Sequence, residues 1–394
     1  MRNPLSDKVV EIEPSGIRKF FDIVSEMNDK DVISLGVGEP DFDTPWHIRD
    51  EGIYSLERGK TFYTSNAGLM ELRQEIAAYL KRRVNTSYDP KKEILITVGG
   101  SEAIDLALRA MINPGDEVLI PQPSYVSYLP CTVLADAVPV IVNLKEENEF
   151  RLTKEELLEH ITPKTKILVL PFPNNPTGAI MEKEDLEAIA EVIIEHDLFV
   201  ISDEIYSELT YKEEHVSIAS LPGMKERTIL INGFSKAYAM TGWRLGYACG
   251  PALIMEQMTK IHQFAIMCAP TNSQYAAVDA LKNGDEDVKV MREAYNQRRR
   301  YLMHRFKEMG LQCFEPYGAF YVFPSIKEFG MTSDEFATRF LAEEKVAVVP
   351  GTAFGPCGEG FLRISYAYSL DNLKIALERM ERFITKLRKE KENG

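Results

Sequence analysis

Between about residue 90 and residue 250, short apolar runs alternate with longer stretches that mix apolar and polar residues. Six of the apolar runs have the length and composition of buried strands, and they cover residues 93–98, 116–121, 138–144, 166–172, 198–202 and 228–233. Residues 101–112 and 182–196, which lie between such runs, have the apolar spacing of helices. This alternation predicts an α/β fold with a largely parallel sheet covered by helices on both faces.

The pattern changes after about residue 285, where the chain becomes richer in charged residues. The predicted helices of this last part cover residues 285–309, 332–344 and 370–390. The predicted strands cover residues 318–324, 346–351 and 361–367. We therefore expect a large domain over residues 49–285 and a smaller α+β domain built from residues 1–48 and 286–394.

Composition and charge narrow the function. The chain has 394 residues and a formal net charge of −14, which argues against a broad surface for nucleic acid or anionic membranes. No apolar run is long enough to cross a bilayer, and the polar N-terminus does not resemble a signal peptide. The five cysteines and six histidines are dispersed without disulfide or metal-ligand spacing. We expect no bound metal and a cytoplasmic location.

Polar residues that follow predicted strands are candidate site residues, because ligands of open parallel sheets bind beyond the carboxyl ends of the strands. Gly100 and Ser101 lie where a strand leads into a helix, and the first N–H groups of a helix favour a phosphate. A tight turn with Ser101 as the helix cap is the alternative. Asn175, which precedes Pro176, either recognises a hydroxyl or phenolate oxygen or belongs to a simple turn.

Charged residues follow the next two strands. Asp203 ends a buried strand, where its carboxylate is paired, protonated or directed at a cation, or else caps a helix. Lys236 has small and apolar neighbours, which would lower its pKa and make its amine a nucleophile. Arg244 suits a phosphate or a carboxylate, although a surface lysine and a structural arginine also agree with this pattern.

Together these segments fit one molecule. A phosphate site, an asparagine, a strand-end aspartate and a nucleophilic lysine match pyridoxal 5′-phosphate, an aldehyde with a pyridine nitrogen, a phenolic oxygen and a phosphate. Three motifs in this order, “NNPTG” (174–178), “SDEIY” (202–206) and “SKAYAMTGWRLG” (235–246), resemble the class I and II aminotransferases. These are fold-type-I pyridoxal-phosphate enzymes of the aspartate aminotransferase superfamily. The resemblance implies a large domain with a mostly parallel seven-stranded sheet, a smaller α+β domain and a homodimer with shared active sites.

The resemblance also implies which residues carry the chemistry. Lys236 would hold the cofactor covalently and later move the proton at the substrate Cα. Asp203 would pair with the pyridine nitrogen and keep it protonated. Tyr206 and Asn175 would donate hydrogen bonds to the phenolic oxygen.

Contacts to the phosphate, the ring and the substrate are implied as well. The phosphate would be bound by residues near the strand ends and by one residue of the neighbouring subunit: Gly100, Ser101, Ser235, Arg244 and, from the neighbour, Tyr63. Tyr125 would stack on the ring, although simple packing and the nearby Tyr128 stay open as alternatives. Arg363 would bind the substrate α-carboxylate, with Gly38 and Asn175 beside it.

The predicted activity is transfer of an amino group from an L-amino acid to a 2-oxo acid, 2-oxoglutarate by analogy, in a ping-pong mechanism. Aspartate, an aromatic amino acid and N-acetyl-diaminopimelate stay open as donors, because no single residue forces a choice. The donor side chain would be recognised by residues 15–21, by Tyr63 and by residues 271–273. A carbon–sulfur β-lyase on the same fold is the alternative activity. A third class, a DNA-binding regulator that senses pyridoxal, is disfavoured by the negative net charge of the chain.

Overall fold

The computed structural model describes residues 2–17 and 31–393. Its strands, numbered in chain order, are β1 (Ile33–Ser34), β2 (Ile94–Thr97), β3 (Glu117–Gln122), β4 (Val138–Asn143), β5 (Thr165–Leu170), β6 (Phe199–Asp203), β7 (Thr228–Gly233), β8 (Gly246–Cys249), β9 (Tyr321–Val322), β10 (Val346–Ala347), β11 (Val349–Pro350) and β12 (Leu362–Ser365). Within these ranges, no helix is long and apolar enough to cross a membrane.

The helices of the same ranges are joined in places by short 3₁₀ turns. They are α1 (Asp7–Val10), α2 (Trp46–Glu57), α3 (Met70–Val84), α4 (Gly99–Met111), α5 (Tyr128–Leu134), α6 (Lys154–His160), α7 (Lys183–Glu195), α8 (Ala252–Ala265), α9 (Thr271–Asn283), α10 (Asp285–Met309), α11 (Ser333–Glu344) and α12 (Leu370–Asn393). Helix α7 begins within one residue of its predicted start, because Glu182 and Asp185 form a reciprocal capping box there.

Seven strands form one sheet in the order β2-β8-β7-β6-β5-β3-β4. Strands β3 to β7 pair in parallel, whereas β8 pairs antiparallel with both β2 and β7. The predicted α/β class and the seven-stranded, mostly parallel sheet are confirmed. The residue pattern alone yielded six of these strands, since β8 begins with a glycine and has no β-branched residue, unlike the equally short β2.

Both faces of this sheet are buried, as a mostly parallel sheet requires. In β7, Ile229 and Ile231 belong to the apolar cluster that includes residues of α4 and α8. The intervening Leu230 belongs to a different cluster, formed with residues of α3 and α9. Successive side chains of a strand point to opposite faces, so this central strand packs apolar side chains into the cores on both sides of the sheet.

The C-terminal part of the chain has its own core. Strands β11, β12 and β9 form a three-stranded antiparallel sheet, while β1 pairs in parallel with β10. Phe336 and Phe340 of α11 and Phe383 of α12 are fully buried in this core, and the ring centroids of Phe340 and Phe383 are 5.2 Å apart. The β1–β10 pair ties residues 33–34 to this part, but the domain boundaries near residues 48 and 285 stay a prediction.

The parallel strands bring several loops to one edge of the large sheet. Strands β5, β6 and β7 run in the same direction, so the segments that follow Leu170, Asp203 and Gly233 leave the sheet side by side. Strand β2 is also parallel to β7, because β8 is antiparallel to both, and the N-terminus of α4 therefore lies at the same edge. The fold thus gathers the polar segments singled out in the sequence.

Candidate active site

A cavity of about 360 Å³ lies at this edge of the sheet. Its lining includes every predicted site residue except Tyr63, namely Gly38, Gly100, Ser101, Tyr125, Asn175, Asp203, Tyr206, Ser235, Lys236, Arg244 and Arg363. It also includes Tyr128, and Glu39, Thr241 and Tyr321, which sequence reasoning missed.

Lys236 stands at the centre of this arrangement. Its Nζ donates a hydrogen bond to the backbone oxygen of Gly38 at 2.6 Å, and its side chain lies over the rings of Tyr206 and Phe320. Burial lowers the pKa of Lys236 to about 8, with a further lowering by the cation of Arg363. An amine with this pKa is substantially deprotonated in mildly alkaline solution, so it can attack a carbonyl carbon.

Asp203 is the last residue of β6 and is only 7% exposed. Its carboxylate accepts hydrogen bonds from the Tyr128 hydroxyl at 2.7 Å and from the backbone N–H of Ile205 at 3.2 Å. Burial raises the pKa of Asp203, although the bond from Tyr128 acts in the opposite direction. The described residues provide no lysine, arginine or histidine within ion-pair distance, so the carboxylate can pair with a cation in the cavity.

Two tyrosines of the segment after β3 line the cavity with different contacts. The Tyr125 hydroxyl lies 3.5 Å from the Ser101 Oγ, whereas Tyr128 reaches Asp203. Their rings meet edge to face at 5.7 Å. The sequence interpretation considered both tyrosines and assigned a role only to Tyr125. The three-residue spacing that places both on one side of a helical turn was the available signal for Tyr128.

Tyr206 is paired with a tyrosine from a distant segment. The hydroxyls of Tyr206 and Tyr321 lie 2.8 Å apart, and burial holds the pKa of Tyr206 well above its usual value. Gly38 makes this arrangement possible, because a Cβ at that position would lie 2.5 Å from the Tyr321 hydroxyl. No sequence signal links Tyr321 to the site, since it arrives from the C-terminal sheet.

The N-terminus of α4 forms one end of the cavity. This helix begins at Gly99, two residues earlier than predicted, so Gly100 and Ser101 lie in its first turn with unsatisfied N–H groups. Gly99 has φ +77°, and a Cβ on it would lie 2.7 Å from a terminal nitrogen of Arg244. Arg244 therefore packs directly against this turn, and Ser235 is buried nearby in the lining. N–H groups, a hydroxyl and a guanidinium together suit a phosphate.

Arg363 forms the other charged part of the cavity and is 1% exposed. One terminal nitrogen donates to the Asn175 Oδ1 at 3.0 Å, and the other donates to the backbone oxygen of Gly36. The guanidinium lies between the rings of Tyr321 and Phe354. Its Nε has no hydrogen-bond partner, and no carboxylate of the described residues pairs with it. A buried cation without a counter-charge is a binding site for an anion.

Tyr63 does not reach the cavity of its own chain and is 80% exposed. It belongs to a group of exposed apolar side chains, which we call the apolar patch: Trp46, Phe62, Tyr63, Phe264 and Met267. Two hydrogen bonds of 2.8 Å hold residues 62–66 against residues 267–271: the Thr271 Oγ1 donates to the Phe62 backbone oxygen, and the Asn66 Nδ2 donates to the Met267 backbone oxygen.

The segments expected to recognise the donor side chain are only partly placed. Residues 18–21 lie outside the described residues, while Ile17 lines the cavity. Thr271 and Ser273 do not line it, and the Ser273 Oγ donates instead to the backbone oxygen of Trp243. The structure thus leaves Ile17 as the one residue of these segments that contacts the site in the described ranges.

The lining residues fit an aldehyde that carries a phosphate at one end and a basic ring nitrogen at the other. The N-terminus of α4 and Arg244 offer donors to an anion, and the buried carboxylate of Asp203 offers a partner to a protonated nitrogen. Lys236 stands in the same cavity with an amine of lowered pKa. This set of donors and acceptors matches pyridoxal 5′-phosphate.

Comparison with known proteins gives the same result. The sequence profile of the family “Aminotransferase class I and II” matches residues 30–380. An aspartate aminotransferase of Pyrococcus abyssi is 50% identical over 383 residues, which are 96% of this chain and 98% of that protein. Aromatic-amino-acid aminotransferase 2 of Thermococcus litoralis is 46% identical, again over 96% of this chain and 98% of that protein.

A solved structure agrees with the fold over the same length. The aspartate aminotransferase of Thermus thermophilus with maleate superposes with a TM-score of 0.92 at 40% identity, covering 97% of this chain and 100% of that one. Both the sequence and the fold comparisons therefore span nearly the whole chain.

The lowered pKa of Lys236 predicts how the apoprotein captures an aldehyde. Because only the unprotonated amine reacts, the capture rate should rise about tenfold per pH unit below pH 8 and level off above it. Stopped-flow absorbance after mixing with pyridoxal 5′-phosphate measures this rate. Nα-acetyl-lysine in solution is the control, and its rate should keep rising to about pH 10.4. A protein rate that climbs in parallel with the control would contradict the assignment.

Proposed function

The chain belongs to the class I and II aminotransferases, and from that premise we propose that it transfers the amino group of an L-amino acid to 2-oxoglutarate. It is a pyridoxal-phosphate-dependent aminotransferase. When bound, the cofactor supplies an aldehyde that accepts and returns the amino group and a ring that withdraws electrons from the substrate Cα. The observation that carries the proposal is a cavity that contains both the Lys236 amine and the unpaired Arg363 cation.

Lys236 is proposed as the nucleophile and as the base at the substrate Cα. Its Nζ has one hydrogen-bond acceptor, the backbone oxygen of Gly38, which leaves its lone pair available when the amine is neutral. The surrounding rings of Tyr206 and Phe320 exclude water from the amine and so favour that neutral form. The same amine, once released, is in the cavity to take the Cα proton and return it.

Asp203 is proposed to hold a proton on the ring nitrogen of the cofactor. A carboxylate that is this deeply buried needs a cationic partner, and the hydrogen bond from Tyr128 fixes its direction. Tyr206 is proposed to donate a hydrogen bond to the phenolic oxygen from the other side, because its raised pKa keeps the phenol protonated. The Asn175 amide nitrogen, which has no partner among the described residues, is proposed as the second donor.

The phosphate is proposed to lie at the N-terminus of α4. Gly100 and Ser101 offer N–H groups there, Ser235 a hydroxyl and Arg244 a charge-assisted hydrogen bond. Tyr125 borders the same end, which supports its proposed role as the residue that stacks on the ring.

Arg363 is proposed to bind the substrate α-carboxylate. Its side chain is held rigidly by Asn175, the Gly36 backbone oxygen and two aromatic rings, so little conformational entropy is lost on binding. The backbone of Gly38 lies beside it in the lining. Use of 2-oxoglutarate is supported by the relatives named aspartate aminotransferase and by the neighbour solved with maleate, which point to dicarboxylic ligands.

We also propose a homodimer, which the apolar patch supports. Large apolar side chains that cluster in the open mark a surface that a partner covers. Tyr63 lies on that patch rather than in its own cavity, in keeping with its proposed contact to the phosphate of the neighbouring subunit. In this proposal the cavity lies between the large domain, residues 49–285, and the small domain, which consists of residues 1–48 and 286–394. The five unpaired cysteines support a reducing, cytoplasmic location.

Loss of Arg363 should affect the substrate and spare the cofactor. For Arg363→Ala we expect the KM of the amino donor to rise on the order of a hundredfold, because a buried charge-assisted pair is lost. Glutamate formed from 2-oxoglutarate measures turnover, and visible absorbance measures bound cofactor. Arg382→Ala, at an exposed ion pair with Glu344, is the control and should leave both unchanged. Loss of the cofactor band would refute the assignment, and pyruvate with ammonia in place of glutamate would favour the β-lyase.

Shared active sites predict complementation between two defective variants. Lys236→Ala should be inactive, and Tyr63→Ala should bind the cofactor more weakly. In a mixed dimer of these variants, one site carries both defects and the other carries neither, so activity should reappear after subunit exchange. Lys236→Ala mixed with Asp203→Ala is the control, since each site then keeps one defect. Equal activity of the two mixtures would contradict a contribution of Tyr63 across the interface.

A further inference from the structure

A largely buried carboxylate is hydrogen-bonded to the turn that begins α4. Glu102 is in the first turn of this helix, and its side chain is 14% exposed. One carboxylate oxygen, Oε2, accepts the backbone N–H of Val98 at 2.5 Å. The other, Oε1, lies 2.7 Å from the Nδ1 of His262, a fully buried residue of α8. The carboxylate thus bridges the turn at residues 98–100 and a neighbouring helix.

We propose that Glu102, held by His262, is a positioning residue that fixes the turn at residues 98–100 in the conformation that binds the cofactor phosphate. The inference rests on the proposed function, because it takes the N-terminus of α4 as the phosphate site. It assigns roles to two residues that do not line the cavity themselves.

The protonation state of the pair follows from its surroundings. The Glu102 oxygen that faces Val98 must accept, because a backbone N–H only donates. The other oxygen accepts from His262 if the Nδ1 carries the proton. The His262 Nε2 is buried and has no partner, so a neutral ring protonated at Nδ1 avoids leaving a second buried donor unsatisfied. Glu102 is therefore an acceptor at both oxygens, and His262 fixes the direction of its carboxylate.

The turn needs such support because its conformation is unusual. Gly99 has φ +77°, which side-chain-bearing residues rarely adopt, and Arg244 packs against it. A Cβ on Gly246 of β8 would lie 2.6 Å from the carbonyl carbon of Gly99, so the turn also rests closely on the sheet. Glu102 adds the third restraint, since its carboxylate accepts the Val98 N–H at the start of the turn. The N–H groups of Gly100 and Ser101, in the first turn of the helix, are left for an anion.

A carboxylate elsewhere on the same helix provides a matched comparison. Asp105 lies three residues after Glu102 on α4. Its carboxylate pairs with Arg109 at 2.7 Å and does not contact residues 98–100. Both carboxylates can stabilise the helix, but only Glu102 touches the turn at residues 98–100. A role limited to helix stability would make the two residues similar, and a role in phosphate positioning would separate them.

The test compares binding of pyridoxal 5′-phosphate with binding of unphosphorylated pyridoxal to the apoenzyme, measured by absorbance titration. For Glu102→Gln we expect the Kd of the phosphorylated form to rise on the order of tenfold to a hundredfold, with the Kd of pyridoxal almost unchanged. The glutamine amide has one oxygen, so its NH₂ group would face either the Val98 N–H or the His262 Nδ1, and the negative charge is lost in both cases. Asp105→Asn should change neither constant. Equal weakening of both ligands, or no weakening of either, would overturn the proposal.

His262 provides the second pair of variants. His262→Asn can place an amide donor where the Nδ1 stands and should keep most of the preference for the phosphorylated form, whereas His262→Leu should lose it as Glu102→Gln does. If both variants bind like the wild type, His262 has no positioning role. If the wild-type apoenzyme itself binds both ligands equally, the proposed phosphate site fails, which is a separate result. Circular dichroism of each apoenzyme checks that the variants are folded.

Discussion

The site depends on two buried charged side chains that do not form ion pairs with other side chains of the described residues. Arg363 is 1% exposed and Asp203 is 7% exposed, and within the described ranges neither has an oppositely charged side chain within ion-pair distance. Burying such groups costs free energy. Hydrogen bonds with uncharged partners, from Tyr128 to Asp203 and from Arg363 to Asn175, offset only part of this cost. The uncompensated charges favour a cationic group beside Asp203 and an anionic group beside Arg363.

The rest of the fold makes this cost tolerable and gives the charges fixed positions. Asp203 is anchored in a parallel sheet whose both faces are covered by apolar clusters, and Arg363 lies in β12 of the C-terminal sheet. The large sheet and the C-terminal sheet therefore each contribute one of the charges in the cavity. Lys236 lines the same cavity, and its pKa is lowered first by burial and then by the Arg363 cation. Burial is therefore the main cause of the lowered pKa, and the buried arginine adds to it.

The predicted site residues line one cavity because several of them follow strand ends, and the strand ends of a parallel sheet converge. Asp203, Asn175 and Lys236 could be found in this way, and the family resemblance added Arg363 and Tyr206. Tyr321 could not be found, because its contact with Tyr206 joins residues 115 positions apart and leaves no local pattern. The same holds for His262, which reaches Glu102 from 160 residues away. Strand β8 was not predicted because its four residues begin with a glycine and include no β-branched residue.

The most direct test of the central claim is a visible absorption spectrum of the purified enzyme with bound cofactor, recorded while single amino acids are added without an acceptor. The account predicts that a suitable amino donor bleaches the band stoichiometrically and that a 2-oxo acid restores it, because Lys236 and Arg363 serve one reversible half-reaction in a single cavity. The donor that bleaches the band fastest identifies the substrate class. A band that persists while pyruvate and ammonia accumulate, or a protein that acquires no band after reconstitution, would contradict the account.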